Sequence, residues 1–170
     1  MKKTLTILSV VLLAAGGLFA QSTKDLTMTV NLSAWYDLSL SATSISFTDV
    51  APTAAAAPAA ASIAANEGAV SVRAFAVTGA GKTLSLTVKA NGDLVSGSDD
   101  SIGIGAISWT STGVGYVGGA MAKSNVTAGS WSGSILHWHE GTFTYSFLRD
   151  YATQAPGAYT ASATYTLSAV

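Results

Sequence analysis

From Leu26 to Leu32 the chain alternates without a break. Leu26, Met28, Val30 and Leu32 fall on one side, and Thr27, Thr29 and Asn31 on the other. Successive side chains of a β-strand point to opposite faces, so this pattern predicts a strand with one buried and one wet face. The same period returns around Leu38 and Leu40, at Ile45 and Phe47, over residues 69–77 ("AVSVRAFAV"), over 83–90 ("TLSLTVKA") and over 106–111 ("AISWTS"). The last third adds "SILHWHE", "TFTYSFL" and "AYTASATYTLSA", with Gly141 dividing the first two and "TQAPG" preceding the third. Asn91-Gly92-Asp93 predicts a hairpin after the 83–90 strand, because Asn and Gly accept positive φ. Residues 51–65, "APTAAAAPAAASIAA", break the period. Alanine favours helix, but Pro52 and Pro58 interrupt it and large apolar side chains are missing. A loop or edge crossing is expected there, with one helical turn after Pro58.

These segments amount to roughly eight or nine short strands separated by turn signals, the spacing of a sandwich or barrel. The predicted fold is all-β, an Ig-like Greek-key β-sandwich forming a single domain over residues 21–170. The first twenty residues are set apart: Lys2 and Lys3 precede the apolar run "TLTILSVVLLAAGGLFA", the layout of a secretory signal peptide with cleavage expected after Ala20. The run is short for a membrane span and no stop-transfer pattern follows, so no stable span is expected. An exported protein is therefore predicted, placed in the periplasm, on the cell surface or outside the cell.

Charge narrows the partners. Without Lys2 and Lys3, six of the eight cations remain against nine acids, a net charge of −3. Such a surface offers no broad basic patch for nucleic acid or anionic lipid. No cysteine is present. A domain of this size can bury enough apolar area to fold without disulfides.

Candidate chemistry centres on "ILHWHEG", residues 135–141, which holds both histidines. In a strand, His137 and His139 share a face about 7 Å apart, close enough to share a metal ion. A zinc site needs a third ligand and usually a fourth, and the chain has no other His and no Cys. The competing assignment places Leu136 and Trp138 in the core, the histidines in water, and a tight turn at Gly141. It is the one adopted: no metal, no cofactor and no catalytic set is expected. "GAGKT" (79–83) lacks the spacing of a phosphate loop and sits between strands. Of the four tryptophans, Trp131, in the setting "AGSWSGS", is expected to be partly exposed and able to act as a ligand platform.

Both ends of the chain carry a family likeness. The opening "LTMTVNLSAWYDLSLSATSISFTDVAP" and the closing "PGAYTASATYTLSAV" resemble the secreted Ig-like sandwiches of bacterial fimbrial subunits and spore-coat-U-type proteins. Gly157, Tyr159, Tyr165 and Leu167 match the closing-strand pattern of that group. The penultimate Ala169, where chaperone-dependent pilins commonly have Tyr, and the missing cysteine pair depart from it. The ending "ATYTLSAV" is also similar to the closing strand of WxL surface domains, with Tyr165 where that family has Trp. The resemblance implies a structural or adhesive surface protein, a fimbrial-type subunit without catalysis. Leu26, Met28, Val30 and Leu32 would then form a strand that completes a neighbour's sheet, by self-association or with other surface proteins. Two alternatives stay open: a carbohydrate- or ligand-binding sandwich module, and a small outer-membrane β-barrel, whose strands also alternate.

Overall fold

A computed structural model describes residues 24, 26–50, 59–79, 81–132 and 137–170. The expected signal segment, residues 1–20, lies outside the described residues, as do residues 51–58 of the alanine-rich stretch. The chain divides into two units, Met1–Leu32 and Ser33–Val170, and every sheet belongs to the second.

That unit is all-β, built from antiparallel sheets in a sandwich arrangement. Its strands are β1 (Trp35–Leu40), β2 (Ala60–Val77), β3 (Thr83–Ala90), β4 (Leu94–Ser96), β5 (Ser101–Ile102), β6 (Ile107–Thr112), β7 (Gly119–Ala120), β8 (Val126–Ser132), β9 (His139–Asp150), β10 (Tyr159–Thr160) and β11 (Ala163–Ala169). The large sheet runs β1-β2-β9-β6-β7, a second runs β11-β3-β8, and a small third runs β10-β4-β5.

Period-two patterning places the core. On β3, Leu84, Leu86, Val88 and Ala90 are buried while Lys89 is exposed; on β2, Val70, Val72, Ala74 and Ala76 are buried while Ser71 and Arg73 are exposed. Phe143 and Tyr145 of β9 and Trp131 of β8 fill the space between. Each fully buried Val, Leu or Phe contributes about 1.5–3 kcal/mol, so this strip accounts for much of the stability. Tyr145 and Tyr165 meet hydroxyl to hydroxyl at 2.6 Å, tying β9 to β11, and the Tyr165 ring stacks on Phe143.

Several expectations change. Residues 60–65 are strand, not loop or helical turn: β2 begins at Ala60 and pairs with β9 from Asp150 back to Ser146 before a bulge at Ala64/Ala69. Small side chains suffice because the ladder, not a packed helix face, holds them. Asn91-Gly92 makes no hairpin with β3, since β4 pairs with β5 and β10 instead. Ile45 and Phe47 lie in no named strand, although Phe47 packs on Phe147 and Asn66 N–H donates to the Ser46 carbonyl. Gly141 is no turn: β9 runs through it, with Gly141 opposite Val72.

Among the described residues the two long sheets are stitched on one side. Val117 N–H donates to Ala128 O at 2.9 Å and Ser130 N–H to Gly115 O at 2.8 Å, so the loop after β6 bonds onto β8. On the other side β1 lies beside β11, and the two share no ladder. Core-facing side chains along this seam are incompletely covered. Tyr36 is exposed, and Leu38, Leu40, Tyr165 and Leu167 are half-buried, whereas their counterparts on β3 are sealed.

Candidate functional site

The structure divides the histidine pair: His137 is exposed, as expected, whereas His139 takes the opposite phase to the one expected. Counting back by twos from the buried Tyr145 and Phe143 passes through Gly141 to His139, so His139 faces inward. Its ring stacks on Trp131 at 4.7 Å and 19°, and His137 lies 4.6 Å away. Burial, and secondarily the neighbouring His137, hold the His139 pKa below its ordinary value. Its buried Nε2 has no hydrogen-bond partner among the described residues. Glu140 points to the other face, where it pairs with Arg73 at 3.0 Å. No group of three or more metal-ligating side chains occurs among the described residues. Leu136 lies outside them.

Trp131 is corrected as well. At 6 % exposure it offers no stacking surface; its Nε1–H donates to Val114 O at 2.7 Å and Tyr116 packs edge-on against its ring. The glycines around it, which look like a flexible loop in the sequence, are packing glycines. Gly115 has φ +84° and a Cβ there would strike Trp131, while one on Gly129 would lie 2.5 Å from the same ring. Trp109 is held alike, its Nε1–H donating to Val117 O at 2.9 Å.

The strand-exchange candidates are exposed. Leu26, Met28, Val30 and Leu32 are 77–90 % exposed and belong to no sheet. The expected strand is therefore not among those formed by the described residues. The closing-strand residues divide: Tyr165 and Leu167 lie on β11, pairing with Val88 and Leu86, while Tyr159 on β10 pairs with Ser96. Gly157 sits where a Cβ would press on the Tyr159 ring at 3.2 Å.

One feature was missed by sequence reasoning. On the outer face of the large sheet, Trp35 of β1, Phe75 of β2 and Trp138 at the entry to β9 form a row. Their centroids are 5.2 Å and 5.1 Å apart. The Arg73 guanidinium lies 4.7 Å from the Trp138 ring centre. Phe75 carried the signal: it shares a phase with Ser71 and Arg73, out of step with the buried Val and Ala of its own strand.

Neither the known protein families nor the curated proteins compared with this chain include a match.

Proposed function

We propose that this is an exported structural or adhesive protein of the cell surface, without catalysis, that assembles by strand addition between copies. The observation that carries the reading is the pairing of two incomplete halves. Residues 26–32 present four large, exposed apolar side chains in strict alternation and lie in no sheet among the described residues. The sandwich has an open seam between β1 and β11, lined by the half-covered Leu38, Leu40, Tyr165 and Leu167. A strand inserted there would gain main-chain hydrogen bonds from the free edges and bury alternate side chains against the seam. Covering four such side chains corresponds to about 1.5–3 kcal/mol each before the cost of association. The antiparallel sandwich and the fimbrial likeness of the two ends support this use.

The test is sedimentation of the exported chain, residues 21–170, beside a Met28→Asp/Val30→Asp variant and a chain lacking residues 21–33. Concentration-dependent oligomers are expected for the unaltered chain and are lost in both variants. A peptide of residues 21–33 should bind the truncated form and raise its melting temperature. A monomer at every concentration, with a truncated form that melts unchanged and ignores the peptide, would refute the proposal.

A further inference from the structure

We infer that the outer face of the large sheet is a binding platform for a neutral carbohydrate chain, formed by residues distinct from the strand-addition segment. Three rows of different chemistry succeed one another across β1, β2, β9 and β6. The first is aromatic: Trp35, Phe75 and Trp138, with Trp35 57 % exposed. The second is ionic, the Arg73–Glu140 pair, both members well exposed. The third is hydroxylic: Ser71, Thr142 and Thr112, aligned by the ladder, with Thr112 and Thr142 hydroxyls 2.7 Å apart. A shallow, open depression lies over the ionic and hydroxylic rows, lined by Ser71, Arg73, Thr112, Glu140 and Thr142.

A sugar ring has the matching two-sidedness. Its C–H face packs on an aromatic ring, and its equatorial hydroxyls accept charge-assisted bonds from a guanidinium and donate them to a carboxylate. Trp138 carries the Arg73 guanidinium over its ring and so fixes those donors in place, while the exposed Trp35 offers the open stacking surface of the row. The charges cancel locally, and Asp37 lies directly opposite Phe75 across the ladder, which disfavours an anionic ligand. A protein partner fits less well. Three aromatic side chains of roughly 150–250 Å² each, partly covered already, fall short of the roughly 800 Å² per partner of a stable interface. Extending that interface would desolvate the ion pair and the hydroxyl row.

The experiment is affinity electrophoresis of the exported chain in gels containing a β-glucan, a mannan, a xylan or a chitin-derived glycan, with a sulfated polysaccharide as the charged control. Retardation by at least one neutral probe is expected. Trp35→Ala should weaken it by about tenfold or more, the scale of one lost stacking contact with its burial, and Trp138→Ala should weaken it by releasing Arg73. Arg73→Gln should weaken it without altering the fold, and Thr166→Ala, on the opposite sheet, should leave it unchanged. If Trp138→Ala fails to fold, Trp35→Ala and Arg73→Gln decide. No retardation by any neutral probe, binding of the sulfated polymer alone, or retardation indifferent to these variants would overturn the inference. So would a Trp35→Ala variant that only changes the oligomeric state, since the row would then be a protein contact. The Met28→Asp/Val30→Asp variant should bind the probe normally, which separates failure here from failure of strand addition.

Discussion

Replacing Gly141 by Ala tests whether β9 is continuous. As a turn glycine away from packing, Gly141 would tolerate alanine. Its φ is not positive, and the reduced freedom of the unfolded chain would favour alanine by about 0.4–1 kcal/mol. The structure predicts the opposite sign. A Cβ at this position meets the Thr112 carbonyl oxygen and lies 2.5 Å from Cδ2 and 2.7 Å from Cε2 of the Tyr116 ring. Thr112 is fixed in the β6–β9 ladder, so Tyr116 must move. Tyr116 is wedged edge-on between Trp131 and Phe143, and its hydroxyl donates to His139 O at 2.8 Å and Val72 O at 3.2 Å. Overpacking of this kind costs about 1–3 kcal/mol, and loss of the hydroxyl's bonding adds about 1 kcal/mol. The expected loss is therefore about 2–4 kcal/mol. With a urea slope of roughly 2 kcal/mol/M, the unfolding midpoint falls by about 1–2 M at unchanged slope. Adding Tyr116→Ala should cost much less in the Gly141→Ala background than in the unaltered protein, because the two share one steric conflict. A midpoint that stays or rises in Gly141→Ala would show that Tyr116 does not pack against β9, and the core would have to be redrawn.

Tyr165→Phe should destabilise by about 1–2 kcal/mol, since it leaves the Tyr145 hydroxyl buried without its 2.6 Å partner; chemical unfolding measures this. Stability should fall as pH drops below about 6.5, because the unfolded chain takes up a proton that the buried His139 refuses, and His139→Phe should flatten that segment of the pH–stability curve. At the alkaline end, burial pushes Tyr116 up to about 12 and holds Tyr145 and Tyr165 above their ordinary value. Ultraviolet titration should therefore show these phenols ionising late, with stability declining as pH rises past about 10, where the unfolded chain releases its protons first. Arg149→Met should loosen the segment around Asp49, whose carboxylate takes Arg149 Nε at 3.3 Å and the Tyr151 hydroxyl at 3.0 Å, and faster amide exchange at residues 47–49 would show it.

The fold class was legible because the core strands keep their phase. In β3 every second residue is Leu, Leu, Val or Ala, and the sealed positions are those four. Alternation records which side is buried, and nothing more. It does not say which strands are neighbours, so Asn91-Gly92 suggested a hairpin where the chain instead crosses to β4. Nor does it report strands built from alanine, such as residues 60–65, whose order comes from the β9 ladder. The segment 26–32 shows the converse. Its alternation is the cleanest in the chain, yet it forms no strand among the described residues, and a pattern cannot say whether its partner is intramolecular.

The site was misread for one physical reason, a glycine mistaken for punctuation. Glycine in a strand marks either a break or a place where something large comes close. Taking Gly141 as a break let "SILHWHE" be phased on its own, with Trp138 inside. Taking it as a close approach joins residues 139–150 into one strand. Phe143 and Tyr145 then fix the phase, sending His139 inward and Trp138 outward. The same choice recurs around Trp131, where Gly129, whose small neighbours in "AGSWSGS" made the indole look exposed, instead makes room for it together with the distant Gly115. Both errors moved aromatic side chains to the wrong side of a sheet. Their correction empties the proposed Trp131 platform and leaves Trp138 beside Phe75 and Trp35, three rings distant in sequence that only the β1-β2-β9 ladder brings into a row.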